Sequence, residues 1–434
     1  MIRHPAFASL GCVVALLAGA WLAPVPARAA AKAFPAAVSP ARARADVPRV
    51  VVTGAMRRYA RTRYALYFAG TFYGWALLWG ALASGVSARL RAWAERITRR
   101  RLGQVAAYYG ALTALLAAAQ FPLAWYGGFW MERQYGLSGQ SGAAWLGDWA
   151  KGTLVDYAVT VPVLALALWL IERSPRRWSA WLWASLVPII AFGIFLAPLI
   201  VDPLFNRFTS LPPGPLRTRI EQLAAQAGIP NAPIYVADRS RQTRTANAYV
   251  TGLGSSARIV LWDTTLKQLP DDETLGIVAH EMGHYVLKHV PWGFAETVLG
   301  LLILLPLAQR VAQRGAAYWA ARGRIRGLTD MAAVPVLLLT LSVLGFLCEP
   351  ISNALSRRVE HQADAYGLAA THNGPAMARA FAYFAAHDLS DPYPPPFIKF
   401  WLFTHPPIGE RIDFVLGRDE PGRKSGEIRG SSKL

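Results

Sequence analysis

Cysteine is nearly absent from the sequence, which has only Cys12 and Cys348 among its 434 residues. Two cysteines exclude a disulfide framework, and they also exclude a zinc site built from cysteine pairs. Charged residues are scarce as well, at 16% against a hydrophobic fraction of 54%. Because this composition is too apolar for an ordinary soluble enzyme, the sequence indicates a membrane protein.

Acidic residues are few relative to basic ones, with 26 Asp and Glu against 45 Lys and Arg. A net charge of +19 would fit a nucleic-acid-binding protein if the basic side chains formed one groove. Instead, arginines cluster in three short segments between apolar blocks, at 83–104, 172–180 and 309–330. This distribution indicates membrane topology and contact with anionic lipid, and no nucleic-acid partner is expected.

Long apolar blocks are abundant. Each approaches the roughly 17–25 residues of a membrane-spanning helix, and tryptophans lie near the ends of several. The blocks are Phe7–Leu22, Tyr64–Leu82, Val105–Trp125, Leu154–Ile171, Trp181–Val201, Val290–Ala308 and Met331–Leu347. We predict a mainly α fold, a polytopic membrane bundle of six to seven spans. The count depends on Phe7–Leu22, which is either part of a signal peptide cleaved after Ala27–Ala29 or a retained span.

The blocks divide the chain into six segments. These are a signal peptide or first span (1–30), a loop (31–63), a four-span membrane region (64–201), a soluble insert (202–289), a two-span hairpin (290–349) and a C-terminal catalytic segment with a polar tail (350–434). A glycine-rich stretch at 126–153 is predicted as a loop between spans.

The soluble insert has an α+β pattern. Apolar side chains recur at helical spacing in 215–229, and β-rich residues predict a strand at 232–238 and a hairpin at 246–263. A further helix follows Pro270, with Asp271 and Asp272 as candidate N-caps.

That last helix contains the sequence HEMGH. His280 and His284 share one helix face, so their imidazoles can bind one metal ion, and Glu281 then lies where a general base is needed. The alternative is that both histidines are ordinary surface or core residues. His289 is five residues beyond His284 and is interpreted as a surface residue that faces elsewhere.

A hydrolytic zinc site needs a third protein ligand and one open position. The best candidate is the stretch SRRVEHQADAYG at 356–367, where Glu360 would bind the metal. Asp364 lies on the same helix face and could accept the ring N–H of a ligand histidine. His361 is one residue off that face. The alternative is a solvated, charged helix face.

The motifs NAYVTGLGSSARIVLWDTTL, HEMGH, SRRVEHQADAYG and THPPIGERI, in this order, resemble the type I CAAX prenyl proteases, which are integral-membrane zinc endopeptidases. The resemblance also covers DPLFNRFTSLPPGPLRTRIEQLA and YGLSGQSGAAWLGDWAKGTL, so it extends over most of the chain beyond about residue 60. It implies seven spans around a large intramembrane chamber and an inserted zincin-like protease domain.

The resemblance also implies roles for individual residues. The zinc ligands would be His280, His284 and Glu360, with Glu281 as the catalytic glutamate and Asp364 as the partner of a ligand. His405 and Arg411 would steady the oxyanion and the third ligand. Asn247, Ala248 and Tyr249 would belong to an edge strand that pairs with extended substrate.

The sequence therefore predicts a zinc metalloendopeptidase of the membrane that acts on peptides or proteins, membrane-associated or lipidated ones included. The family resemblance implies CAAX-type processing of C-terminal peptides. Two alternatives remain open: a quality-control protease of the heat-shock type, and a non-enzymatic scaffold or transporter with structural zinc. Arginine-rich loops favour an extracytoplasmic active site, and composition suggests a bacterial inner membrane. Glu296, early in the span after the metal helix, is a functional candidate that faces either the chamber or the membrane interface.

Overall fold

The computed structural model describes residues 50–252 and 254–418. The helices are α1 Gly54–Ala83, α2 Val86–Ile97, α3 Arg101–Gln134, α4 Gly142–Arg173, α5 Trp178–Leu196, α6 Asp202–Phe205, α7 Pro215–Gln226, α8 Asp263–Gln268, α9 Asp271–Val286, α10 His289–Ala320, α11 Val334–Thr371, α12 Gly374–His387, α13 Pro396–Leu402 and α14 Ile408–Val415. The strands are β1 Phe208–Ser210, β2 Ile234–Ala237, β3 Ala248–Thr251 and β4 Arg258–Trp262.

Five helices of the described chain are long and apolar enough to cross a membrane: α1, α3, α4, α10 and Met331–Thr371, which includes α11. A sixth span is formed if Trp178–Ile194 and Pro198–Phe205, which meet at a bend of 42°, are taken together. These helices contain the six predicted blocks from Tyr64 onwards, so the mainly α polytopic fold is confirmed. The first block, Phe7–Leu22, lies outside the described residues.

Two predicted loops are wrong in part. Helix α1 begins at Gly54, inside the predicted loop 31–63, because the Thr53 side chain accepts a hydrogen bond from the Met56 N–H and caps the first turn. Most of 126–153 is helical too, since α3 continues to Gln134 and α4 begins at Gly142. The glycines there serve packing: a Cβ on Gly127 or Gly128 would lie 3.1 Å from a neighbouring side chain.

The insert folds as a four-stranded sheet in the order β1-β2-β4-β3, with α7 where the apolar spacing predicts it and Pro215 as its first residue. Strands β3 and β4 form the predicted antiparallel hairpin, and β3 is an edge strand of this sheet. The N-cap of helix α9 differs from the predicted candidates, Asp271 and Asp272. Its N-cap is Pro270. Asp271 and Asp272 lie in the first turn, where their negative charges interact favourably with the positive end of the helix dipole.

Helices α9 and α11 pack in close contact through two glycines. A Cβ on Gly283 would lie 3.1 Å from the Ala363 Cα, and a Cβ on Gly367 would lie 3.0 Å from the His280 backbone nitrogen. Side chains at these two positions would hold the helices apart. The close approach therefore brings the HEMGH face of α9 against residues 360–367 of α11.

Candidate active site

The three predicted metal ligands converge between α9 and α11. The Nε2 atoms of His280 and His284 are 3.3 Å apart, and Glu360 oxygens lie 3.2 Å from the first and 3.8 Å from the second. All three ligand atoms lie within 4.8 Å of one another. Tetrahedral zinc with bonds of about 2.0–2.1 Å needs donor atoms about 3.3 Å apart, so the spacing and the two-nitrogen, one-oxygen donor set fit zinc.

Glu360 also shows a specific need for a cation. Its side chain is buried, and among the described residues its Oε2 atom makes no hydrogen bond of regular geometry, although the Nε2 atoms of His280 and His405 each lie 3.2 Å away. A buried carboxylate oxygen without a partner is costly unless a positive charge or a metal satisfies it. Two imidazoles and a carboxylate around one point therefore form a candidate metal centre.

Glu281 lies beside this centre, with Oε1 4.0 Å from the His280 Nε2 atom. Burial raises the pKa of Glu281 to about 7, and the negative charge of Glu360 adds to the rise. A carboxylate with a pKa near neutrality can both take up and return a proton at the working pH. Burial also lowers the pKa of His284 to about 3, so this ligand is neutral and has a lone pair to donate.

Asp364 and Arg411 form a buried pair behind His280. The Asp364 Oδ1 atom is 2.8 Å from the His280 Nδ1 atom, as predicted for the partner of a ligand histidine. Arg411 donates from Nε at 2.8 Å and from Nη2 at 2.6 Å to the two Asp364 oxygens. Burial would lower the pKa of Arg411, but the charge of Asp364 raises it, so both groups stay ionised.

His405 and Arg411 differ in what they contact. His405 Nε2 is 3.2 Å from Glu360 Oε2, so His405 lies beside the third ligand as expected. Its Nδ1 atom is 2.8 Å from Thr404 Oγ1, and burial lowers the pKa of His405 to about 3. A neutral His405 can donate from Nε2 while Thr404 donates to Nδ1. Arg411, in contrast, contacts Asp364, and its Nη2 atom also lies 3.4 Å from the His280 Nδ1 atom.

The interpretation of His289 as a surface residue facing elsewhere is wrong. His289 is partly buried, and its Nδ1 atom lies 3.0 Å from the Nδ1 atom of His284. Residues five apart face different sides only within one continuous helix, but α9 ends at Val286 and Lys288 takes a left-handed conformation with φ 58°. Pro291 is the sequence feature that could have shown this, because proline is favoured in the first turn of a new helix.

A cavity of about 970 Å³ connects this centre to the membrane helices. His280, Glu281 and His284 line it together with the strand residues Asn247, Ala248 and Tyr249. Residues of α1, α3 and α4 form other parts of its wall, among them Tyr64, Gln120 and Trp145. The metal centre and the predicted substrate strand therefore face one chamber.

Glu296 does not lie on the chamber wall, which is one of its two expected places. Its side chain is only 6% exposed, and it is not among the residues that line the chamber. Within the described part of the chain, neither of its carboxylate oxygens has a hydrogen-bond partner. It is thus a carboxyl group buried within the helical bundle.

A multi-pass helical bundle with a His-His-Glu centre and an adjacent carboxylate, all facing an internal chamber, defines a membrane metallopeptidase. Comparison with known proteins gives the family. Residues 211–419 match peptidase family M48, and residues 46–207 match the N-terminal, five-helix membrane region of CAAX prenyl proteases.

Individual relatives agree. The chain is 37% identical to an uncharacterized metalloprotease, YhfN, of Bacillus subtilis, over 82% of this chain and 83% of the relative. It is 27% identical to CAAX prenyl protease 1 of Saccharomyces cerevisiae over 72% of each chain. The crystal structure of S. mikatae Ste24p superposes with a TM-score of 0.73 at 25% identity, covering 83% of this chain and 88% of that one. The chain belongs to the type I CAAX prenyl protease family of M48 peptidases and is an integral-membrane metalloendopeptidase.

Proposed function

We propose that this protein hydrolyses extended peptide segments with one zinc ion held by His280, His284 and Glu360. The observation that carries the proposal is the convergence of these three side chains next to Glu281 on the chamber wall. When bound, zinc acts as a Lewis acid that polarises the scissile carbonyl and acidifies the attacking water. The match of residues 46–207 to the CAAX protease membrane region disfavours a heat-shock-type protease, which would lack this long first half.

Each neighbouring residue has a distinct task in this proposal. Glu281 accepts the proton of the attacking water and returns it to the leaving amine. His405, neutral and with its Nε2 atom 3.2 Å from Glu360 Oε2, lies against the Glu360 carboxylate and is placed to stabilise charge that develops on the scissile oxygen. Asp364 holds His280 in one tautomer, and Arg411 holds Asp364.

The substrate backbone binds to the open edge of β3. In an antiparallel pair, alternate residues point both backbone groups at the neighbouring strand. The bond from Trp262 N–H to the Asn247 carbonyl puts Asn247 on the β4 side, so Ala248 and Val250 point outward. Asn247 Oδ1 accepts from the Ala248 N–H at 2.8 Å, so we assign the Ala248 carbonyl and the Val250 backbone to the substrate.

The substrate class follows from the chamber. It lies between membrane helices and reaches the metal centre, so it suits unfolded segments delivered at the bilayer. Yeast CAAX prenyl protease 1 and its plant homologues carry names that refer to prenylated C-terminal motifs, and we extend a lipidated substrate to this chain as part of the proposal.

The test compares purified wild type with Glu281→Gln for bound zinc and for cleavage of matched prenylated and unprenylated peptides. We expect about one zinc per chain in both proteins, and a roughly 10²–10⁴-fold loss of turnover in the variant. Glu296→Gln is the matched control, since it makes the same change at a carboxyl away from the chamber. Equal turnover of wild type and Glu281→Gln would exclude Glu281 as the base.

The same peptides test the edge-strand contact. N-methylation of single substrate amides should lower kcat/KM about tenfold or more at alternate positions and have little effect between them, because only alternate amides face β3. A uniform response along the peptide would contradict β-augmentation.

A further inference from the structure

Each imidazole of the metal centre has a partner on the ring nitrogen that faces away from the centre. For His280 the partner is Asp364. For His284 it is His289, whose Nδ1 atom lies 3.0 Å from the His284 Nδ1 atom. The other nitrogen of His289, Nε2, lies 3.2 Å from Gln362 Oε1. His284, His289 and Gln362 thus form a continuous chain of polar contacts.

The proton positions along this chain follow from the first residue. The His284 Nε2 atom faces His280 and Glu360, so it needs its lone pair for the metal, and the proton must be on Nδ1. That N–H can donate only if His289 Nδ1 is an acceptor, which places the His289 proton on Nε2. Gln362 Oε1, a pure acceptor, stands where this second N–H donates.

We propose that His289, supported by Gln362, is a positioning residue that fixes the ring orientation and the tautomer of the zinc ligand His284. This inference rests on the proposed function, namely on zinc binding at His280, His284 and Glu360. A hydrogen bond to the outer nitrogen of a ligand histidine orients the ring and raises its basicity. His284 would otherwise rotate about its side-chain bonds and lose the alignment of Nε2.

The three residues belong to three helices. His284 is on α9, His289 begins α10 and Gln362 is on α11 between Glu360 and Asp364. Lys288, with φ 58°, separates α9 from α10, and the rings of His284 and His289 lie with their centroids 5.0 Å apart. A non-glycine residue in this conformation is uncommon. The chain of contacts therefore joins both helices of the membrane hairpin to one metal ligand.

The test measures zinc affinity by chelator competition, zinc release rate and steady-state kinetics in purified, full-length variants. His289→Leu removes the acceptor and should weaken zinc binding about 10–100-fold, with kcat lowered and KM unchanged. His289→Asn returns an acceptor oxygen near the Nδ1 position and should recover affinity to within about threefold of wild type. Gln362→Met, which removes only the distal acceptor, should fall between the two.

The control is His361→Leu, the same substitution at an exposed histidine next to Gln362 whose ring packs on Phe414. It should leave zinc affinity and release unchanged. Thermal unfolding of the zinc-free proteins separates folding defects from weaker binding.

Unchanged zinc affinity in His289→Leu would overturn the inference, and so would an Asn variant as weak as the Leu variant. These outcomes are distinct from a failure of the proposed function. In that case the wild type itself would bind no zinc, or Glu281→Gln would cleave as well as wild type.

Discussion

At the scale of single residues, the Asp364–Arg411 pair is the contact of the site that depends most strongly on both partners being present. Asp364 has no solvent exposure, and its two oxygens accept from Arg411 and contact His280. A buried carboxylate of this kind is stable only while its partners are in place. The planar guanidinium of Arg411 donates two parallel bonds, a geometry that lysine cannot reproduce.

We therefore expect two substitutions of Arg411, by methionine and by lysine, to lower the stability of the protein. We expect Arg411→Met to lose about 3–5 kcal/mol of stability, because it leaves Asp364 buried and charged without its cation. Arg411→Lys should recover only part of this, since one ammonium replaces a bidentate fork. Thermal unfolding and zinc content are the measurements. The double variant Asp364→Asn/Arg411→Met should be more stable than Arg411→Met alone, and the opposite ranking would contradict the argument.

Asp388 is a second residue whose burial should be measurable, through the pH dependence of stability. It lines the chamber, and burial raises its pKa to about 8, with the nearby charge of Glu132 adding to the rise. A carboxyl whose folded pKa is raised binds its proton more tightly in the folded state. Below about pH 4 the Asp388 carboxyl therefore does not reduce the free energy of unfolding. Its unfavourable contribution grows as the pH rises from about 4 through 8.

We expect Asp388→Asn to remove this loss. Relative to wild type, the variant should gain of order 1–4 kcal/mol between pH 5 and pH 8, because about 1.4 kcal/mol accompanies each pKa unit. Unfolding curves at the two pH values give the difference. Asp391→Asn is the comparison: its carboxylate accepts from Tyr64 and from the Tyr393 N–H, so this change removes contacts and should destabilise. Parallel pH curves for wild type and Asp388→Asn would refute the expectation.

How far single residues could be predicted depends on how local their geometry is. The i, i+4 spacing of His280 and His284 is fixed by the helix itself, so the pair follows from the sequence. Glu360 lies far along the chain. Its own stretch made it the best candidate for the third ligand but is equally consistent with a solvated helix face, and the family resemblance favoured the ligand. His289 was missed because a helix end of two residues, at Leu287 and Lys288, changes which side chains can meet.

At the scale of elements, the contact between α9 and α11 determines the geometry of the centre. Glycine at 283 and 367 lets the two backbones approach, and His280 and Glu360 come together as a result. The Gly367 hydrogen faces the His280 backbone, so a methyl group there would displace the helix that bears the first ligand.

We expect Gly367→Ala to lose about 1–3 kcal/mol through overpacking and to bind zinc more weakly than wild type. The matched control is Gly300→Ala in α10, where an added Cβ meets nothing within 4 Å. That change should be neutral or stabilise by up to about 1 kcal/mol through helix propensity. Zinc competition and thermal unfolding on both variants check the pair. Equal zinc affinity in Gly367→Ala and wild type would show that the close approach does not set the ligand geometry.

Element types were predictable where the pattern was long and regular. The six apolar blocks and the insert's helix and hairpin lie in the elements that their periodicity indicates. Helix ends were less predictable, as at 126–153, where composition suggested a loop. Gly127 and Gly128 lie within a helix where the side chains of Leu66 and Trp145 leave no room for a Cβ. This packing depends on the neighbouring helices and cannot be inferred from the local sequence.

At the scale of the whole molecule, the centre joins parts of the chain that are separated by a membrane hairpin. His280 and His284 precede α10 and α11, Glu360 and Asp364 lie on α11, and His405 and Arg411 come from the C-terminal segment. No local pattern predicts this convergence. It requires the hairpin to return α11 to the side from which α10 entered, so only an ordered set of motifs, taken as a family resemblance, could indicate it.

Because the centre connects these segments, metal removal should affect the fold as well as the activity. Without a cation, the buried carboxylate of Glu360 is left close to the rings of His280, His284 and His405, and one of its oxygens has no hydrogen bond from the part of the chain that the structure describes. We expect chelation to abolish cleavage and lower Tm. Zinc at 100 times its Kd should restore about 2.7 kcal/mol of stability.

Zn²⁺ or Co²⁺ should restore both cleavage and Tm, whereas Mg²⁺ should not, since imidazole nitrogens suit transition metals and magnesium prefers oxygen ligands. Glu360→Ala should show no zinc-dependent Tm shift. Full recovery with Mg²⁺, or a zinc-dependent shift in Glu360→Ala as large as in wild type, would mean that the metal binds elsewhere.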